Sequence, residues 1–342
     1  MTEVLKPTAE ALFEAGQRIR RGEVVGFPTE TVYGLGGDAG NDEAIERIFS
    51  AKGRPGDNPL IVHIADPDQI GTVIEGELPE QARKLAEAYW PGPMTMILPK
   101  GRNISFKTTA GLDSVGVRLP DHPVARAFIR AAGVPIAAPS ANLSGKPSPT
   151  TAEHVRKDME GRIPLILDGG ESRVGLESTV IDVRSLPVRI LRPGGITPQM
   201  VADVLGEVEV DGSVLRPLRE GETARSPGMK YKHYAPDGSL VIVKGSTQAA
   251  AREICALYDA TEGEKCIFAL EGNRALYGAR RVLSLGKDPA GAAHKLFGAL
   301  REMDDRKVNA IFSEAVEAEG IGLAVMNRLG RAAAFHIIEA ND

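Results

Sequence analysis

Lys52-Gly53-Arg54-Pro55-Gly56-Asp57-Asn58-Pro59-Leu60 joins two different periodicities. Before it, Asp42 to Ala51 places Ile45, Ile48 and Phe49 on one face of a helix, and Gly53 suits that helix's C-terminal cap. After it, Leu60-Ile61-Val62-His63-Ile64 is an apolar run of strand length. A helix feeding a strand through a short stiff loop is the building unit of an α/β sheet. The loop carries two cations on a frame of glycine and proline. Proteins hold phosphates in that way without a flexible tether. Ordinary solvated cations on a turn are the competing reading of this segment taken alone.

Working outward, strands are predicted at Val24–Phe27, Met94–Leu98, Val115–Leu119, Val134–Ala138, Leu165–Leu167, Thr179–Val183 and Val188–Leu191. Helices are predicted at Pro79–Tyr89, Pro123–Ala132 and Ala152–Met159, the first two opening on proline and the third following a Thr150-x-x-Glu153 capping box. Strands and helices do not alternate strictly, so a mixed, twisted sheet is expected over residues 1–206. The pattern dissolves over 207–237, which reads as a linker ending in the basic, aromatic run Arg225 to Tyr234. Residues 238–342 are regular again. Strands Leu240–Lys244, Lys265–Leu270, Val282–Leu285 and Ala310–Phe312 alternate with helices Thr247–Tyr258, Ala290–Met303 and Ile321–Leu329, a small three-layer α/β domain.

Composition places the chain among ordinary globular proteins: 342 residues, 42% hydrophobic and 25% charged, with room for two domains. The formal net charge of −5 argues against a uniformly basic nucleic-acid binder but leaves room for a local basic cleft. No apolar run reaches membrane-spanning length and Met1 to Glu10 has no signal-peptide pattern, so a cytoplasmic protein with no membrane partner is expected. Cys255 and Cys266 are read as reduced core residues. The histidines form no HExxH and no Cys/His cluster, so no protein-caged metal is expected.

Several polar segments carry the chemistry. Gly34 to Ala39 matches Gly-x-Gly-x-x-Ala, but six residues separate it from the preceding strand and no helix begins before Asp42. That excludes a dinucleotide fingerprint. Thr29-Glu30-Thr31-Val32-Tyr33 reads instead as a pocket rim of hydroxyl donors, or as a threonine-capped turn. Alternation puts His63 on the face opposite Leu60, Val62 and Ile64, and puts Gly116 and Arg118 opposite Val115, Val117 and Leu119. A charge inside a strand beside glycine suggests a ligand close to the sheet, against an edge strand with Arg118 in water. Ala138 to Pro149 is a hydroxyl-rich loop stiffened by proline. Its Gly145-Lys146 pair fails as a Walker loop, because Ser140 stands at the leading glycine and Pro147 after the lysine. Arg192-Pro193-Gly194-Gly195 precedes another helix and suits an anion. Lys52, Arg54, Arg118, Lys146 and Arg192 thus lie among few neighbouring carboxylates, and nothing resembles a Ser-His-Asp set or a carboxylate pair. The residues point to a polyanionic ligand, foremost a nucleotide, over a mixed sheet.

Together these strings resemble the threonylcarbamoyl-AMP synthases, the YrdC-type family. They are Phe27–Gly36 (FPTETVYGLG), Lys52–Ile64 (KGRPGDNPLIVHI), Trp90–Thr95 (WPGPMT), Val115–His122 (VGVRLPDH), Ala138–Ser148 (APSANLSGKPS), Leu176–Asp182 (LESTVID) and Leu191–Thr197 (LRPGGIT). Ser226–Pro236 (SPGMKYKHYAP) is similar to the linker of the long, two-domain form, whose extra domain is small and Rossmann-like. The resemblance implies condensation of L-threonine, bicarbonate and ATP to threonylcarbamoyl-AMP and pyrophosphate. A transferase complex would then pass the threonylcarbamoyl group to tRNA beside the anticodon, so that tRNA is an indirect partner. It implies a threonine site of Thr31, His63, Arg118, Ala138 and Ser178. It implies an ATP site of Arg54, Asn58, Ser114 or Val115, Ser140, Ser148 and Arg192, with Tyr234 closing over the nucleotide. Lys52 and Arg54 would serve catalysis through charge, and Mg2+ would arrive on the triphosphate. Two other functions fit parts of the pattern. A concave basic sheet suits double-stranded RNA, and a similar domain moves carbamoyl groups in hydrogenase-maturation proteins.

Overall fold

The computed structural model describes residues 1–216 and 234–341. They form two compact units: Met1–Ser144 with Ser148–Val214, and Gly145–Pro147 with 215–216 and 234–341. In the first unit the strands are β1 (Glu3–Leu5), β2 (Val25–Phe27), β3 (Gly34–Asp38), β4 (Ile61–His63), β5 (Met94–Pro99), β6 (Ser114–Arg118), β7 (Ile136–Ala138), β8 (Leu165–Leu167), β9 (Thr179–Asp182), β10 (Val188–Arg192) and β11 (Val208–Val210). They form one mixed sheet in the order β1-β8-β2-β3-β7-β4-β6-β5-β9-β10-β11. Parallel pairs such as β4·β6 and β5·β9 sit beside antiparallel ones such as β4·β7 and β5·β6.

Alternation along the strands divides the apolar residues between two cores. Val62, Val115, Val117, Met94, Met96 and Ile181 enter one, with Ile45, Ile48 and Phe49 of the helix Asp42–Lys52. Phe27, Ile136 and Leu165 enter the other, with Ala15 and Ile19 of the helix Ala9–Arg20 and Phe128 and Ile129 of Pro123–Ala132. His63, Gly116 and Arg118 face away from the first core, as the alternation predicts.

Of the elements that escaped the sequence pattern, two show the reason plainly. The helix Ala9–Arg20 buries Ala11, Ala15 and Gly16, which give little hydrophobic signal. Small residues are needed there, because a Cβ on Gly16 would lie 2.4 Å from the Ala131 carbonyl oxygen of the neighbouring helix. Strand β3, Gly34-Leu35-Gly36-Gly37-Asp38, has the composition of a turn. A Cβ on Gly34 would stand 2.8 Å from the Phe27 ring and one on Gly36 2.7 Å from Ile136 Cγ2, so close packing of neighbouring strands selects the glycines.

Two cap assignments change. Thr151, not Thr150, caps Ala152–Met159, its hydroxyl accepting from the His154 amide. Pro79 is the N-cap residue of Glu80–Tyr89 rather than its first helical residue, whereas Pro123 does open its helix. Gly53 (φ 60°) caps the helix Asp42–Lys52 as expected, and Asn41 caps its start, its side chain accepting from the Glu43 and Ala44 amides. The first sheet also runs further than expected. β11 pairs with β10 inside the stretch read as linker, a strand too short and too exposed to carry a pattern.

The second unit has five parallel strands, β12 (Ser239–Lys244), β13 (Lys265–Ala269), β14 (Val282–Ser284), β15 (Ala310–Glu314) and β16 (Ile337–Glu339), in the order β14-β13-β15-β12-β16. Helices Thr247–Ala260, Pro289–Asp305 and Gly322–Ala332 connect them. This is the Rossmann-like α/β layering expected. Cys266 is buried there, while Cys255 is only half-buried, and neither is bonded to another cysteine. Among the described residues no helix is long and apolar enough to cross a membrane.

Candidate active site

The face of β4, β6 and β5 that turns away from the first core carries His63, Arg118 and Thr95. Register sets them side by side, His63 opposite Arg118 and Arg118 opposite Thr95. Thr95 Oγ1 lies 2.8 Å from Oγ of Ser178, the residue just before β9. Ser178 in turn accepts from Arg192, whose Nη2 is 3.2 Å from the hydroxyl and whose Nε is 3.1 Å from the carbonyl. Arg192 reaches this face because β10 is irregular. Ile190 pairs with Ile181 but Arg192 with Val180, so the register slips by one residue between them. Val188 and Ile190 belong to the first core, and strict alternation would have sent Arg192 there too.

Arg118 is 4% exposed and sits within the sheet between β4 and β5, so the edge-strand reading is discarded. Its Nη2 stands 2.7 Å from Oε1 of Glu30, which is 1% exposed. His63 is buried with its ring edge-on to Phe27. Burial first, and the Arg118 charge second, lower its pKa to about 3, so the imidazole is neutral at physiological pH. Burial also holds His122 below its ordinary value, against the opposing charges of Glu30 and Asp121. Thr31 is buried against Thr29, their hydroxyl oxygens 2.8 Å apart. Ala138 ends β7, its side chain in the second core. Gly116 has a packing reason of its own, since a Cβ there would lie 3.2 Å from Thr95 Cγ2 and 3.4 Å from Ile97 Cδ1.

The loop residues form a second group. Lys52 is buried, and its Nζ donates to the carbonyls of Ser140 and Asn142, each at 2.6 Å. It therefore clamps the hydroxyl-rich loop as well as placing charge beneath it. Ser140 Oγ donates to Asn142 Oδ1 at 2.5 Å. Arg54 is half-buried, its Nη2 donating to the Asn58 carbonyl at 3.2 Å. Ser148 is buried and donates to Glu177 Oε1 at 2.6 Å. Ser114 begins β6 on the same face as Arg118, whereas the Val115 side chain packs into the first core, leaving only its backbone to meet a ligand.

Two sequence readings need correction. Lys146 is not a cation without acids, because within the second unit its Nζ lies 2.5 Å from Asp237 and 3.4 Å from Asp304. Nor is the first unit's site poor in acids, since Glu30 and Glu177 are buried in it; the partners of both are distant in sequence, so no local pattern announced them. Tyr234 lies in the second unit, its ring 5.1 Å from that of Phe297 and Arg328 Cζ 5.9 Å from its centre. The rest of the basic, aromatic run from Arg225 lies outside the described residues.

What marks this region as a site is its unmet valence. Among the described residues, buried side-chain atoms without hydrogen-bond partners include both Glu30 oxygens, both Asn58 amide atoms, His63 Nδ1, Arg118 Nε and Nη2, and His122 Nδ1. Each such atom costs about 1–3 kcal/mol in a folded chain. A cluster of them is stability held in reserve for a polar ligand. No group of three or more His, Cys, Asp or Glu side chains is placed to hold a metal ion among the described residues.

Comparison with known proteins identifies the family. Residues 17–194 match the Sua5–YciO–YrdC domain, described as "Telomere recombination", and residues 196–334 match the "Threonylcarbamoyl-AMP synthase, C-terminal domain". The chain is 47% identical to threonylcarbamoyl-AMP synthase of Pyrococcus abyssi over 321 residues, 94% of this chain and 93% of the relative. To the Bacillus subtilis threonylcarbamoyl-AMP synthase it is 45% identical over 342 residues, covering 99% and 97% of the two chains. Its fold superposes on a crystal structure of P. abyssi Sua5 complexed with L-threonine with a TM-score of 0.91 at 43% identity, covering 100% of both chains. With both domain types in order, at this identity over nearly its whole length, the chain belongs to the threonylcarbamoyl-AMP synthase family in its two-domain, Sua5-type form.

Proposed function

We propose that this chain is a nucleotidyltransferase that condenses L-threonine, bicarbonate and ATP into threonylcarbamoyl-AMP, releasing pyrophosphate and water. The observation that carries the reading is the cluster of buried polar atoms with unmet hydrogen bonds on the adjoining side chains Glu30, Arg118 and His63. The related P. abyssi protein crystallised with L-threonine supports an amino acid as one occupant.

The amine of threonine attacks bicarbonate, or its dehydrated form, to give a carbamate. A carbamate oxygen then attacks the α-phosphorus of ATP, and pyrophosphate leaves. Neither step needs a protein nucleophile, so the chain contributes position and charge. Thr31, His63, Arg118, Ala138 and Ser178 hold threonine. His63 does so as a neutral imidazole that donates or accepts a hydrogen bond without adding charge. Arg54, Asn58, Ser140, Ser148, Arg192, and Ser114 or the Val115 backbone hold the nucleotide. Ser114 and Arg118 are four residues apart on β6, on the order of 13 Å along the strand, which leaves room for the carbamate between the amino acid and the nucleotide. Lys52 fixes the loop 140–142 and adds charge beneath it. Mg2+ would arrive on the triphosphate, carried mainly by phosphate oxygens and water.

The product is a labile mixed anhydride. It calls for a transferase that delivers the threonylcarbamoyl group to tRNA, with both enzymes in the cytoplasm. Incubation with ATP, L-threonine and carbon-13 bicarbonate tests the chemistry. The label should enter an adenylate whose mass is that of threonylcarbamoyl-AMP. An unlabelled threonyl adenylate would instead mean direct activation of the amino acid and would overturn the proposal.

A further inference from the structure

Glu30 reads in the sequence as one member of a polar run, with nothing to distinguish it from the threonines beside it. Its surroundings in the fold are unusual for a structural acid. The side chain is 1% exposed and stands 2.7 Å from Arg118 Nη2, yet neither carboxylate oxygen meets a donor in hydrogen-bond geometry. Arg118 leaves its Nε and Nη2 equally unmet. The neighbouring hydroxyls do not compensate, because Thr29 and Thr31 face each other and Thr29 donates to the Val32 carbonyl. His63, adjacent to Arg118 across β4 and β6, is neutral.

A buried ion pair costs desolvation that its own attraction barely offsets, and it holds a fold well only when its remaining valences are bonded. This pair has one charge of each sign and open valences on both partners. A free α-amino acid presents the matching pattern, an ammonium and a carboxylate two bonds apart on one carbon. Seated between the two side chains, it exchanges one internal ion pair for two charge-assisted ones. We infer that Glu30 receives the α-ammonium of the amino-acid substrate while Arg118 receives its carboxylate, so that Glu30 selects for a free amine and positions the nitrogen that becomes the carbamate. This rests on the threonine reading of the site and adds to it a binding residue that the resemblance did not supply.

The test measures binding to the full chain by titration calorimetry, with no turnover. The ligands are L-threonine and its analogue with a hydroxyl in place of the amine. The proteins are wild type, Glu30→Gln and Glu30→Asp. Wild type should prefer threonine over the analogue by roughly 10- to 100-fold, the range for one charge-assisted bond. In Glu30→Gln that preference should collapse, through weaker threonine binding and unweakened analogue binding, and Glu30→Asp should restore part of it. Threonine binding to Glu30→Gln at wild-type strength would overturn the inference. So would a wild type that binds the analogue as tightly as threonine, a comparison that stands even if no variant folds. A wild type that binds no threonine at all would remove the proposed function itself, and this inference with it.

Discussion

Asn58→Leu should make this protein more stable and less able to bind ATP. Asn58 is 0% exposed and both atoms of its side-chain amide lack hydrogen-bond partners, so the folded, ligand-free chain bears their desolvation. At about 1–3 kcal/mol per orphaned atom, and allowing for imperfect packing of the new side chain, the substitution should gain about 2 kcal/mol. For a unit of this size that is about 4–8 °C in melting temperature. The same amide is proposed to meet the nucleotide, where losing two hydrogen bonds should weaken ATP roughly 10- to 100-fold. Calorimetric melting without ligand and ATP titration read both halves on one preparation. A lower or unchanged melting temperature, together with wild-type ATP affinity, would refute the view that this polarity is kept for a ligand.

His63 should make stability depend on pH in a defined window. The unfolded chain protonates this imidazole near its ordinary 6.5, while the native state resists until about 3. The native state therefore holds its full advantage above 6.5 and loses it as pH falls toward 3, by up to about 1.4 kcal/mol per pH unit. Urea unfolding at several pH values between about 7 and about 4 should show a shallower decline for His63→Gln, and parallel declines would count against a buried neutral imidazole. Arg54→Ala should lower activity tenfold or more by removing a charge-assisted contact worth about 1.5–3 kcal/mol, with little change in melting because the side chain is half-buried on a loop. A large fall in melting temperature with normal activity would make Arg54 structural.

What the sequence disclosed and what it hid follow from the range of each interaction. Apolar alternation is local, so β4 and β6 were legible, and with them the side of its own strand on which each of His63 and Arg118 lies; that the two lie side by side came from the pairing of β4 with β6. The cap at Gly53 is likewise local. Strand β3 was hidden because its glycines answer to Phe27 and Ile136 on neighbouring strands, not to strand propensity. The helix Ala9–Arg20 was hidden because three of its four buried residues, Ala11, Ala15 and Gly16, are small. The Glu30–Arg118 pair, the Ser148–Glu177 bond and the acids around Lys146 join residues far apart in the chain. Nothing in their own segments marks those partners. Arg192 reached the face of Arg118 and Thr95 only through a slip in the β9–β10 register, which no residue type in that strand signals. The family resemblance supplied residue roles where periodicity stopped at a polyanion over a sheet.

The central claim is that three small molecules react together in this site, and an omission series for pyrophosphate release tests it most directly. With ATP, L-threonine and bicarbonate present, pyrophosphate and threonylcarbamoyl-AMP should appear in equal amounts. Omission of either threonine or bicarbonate should return release to background. Pyrophosphate release that continues undiminished without threonine would contradict the account.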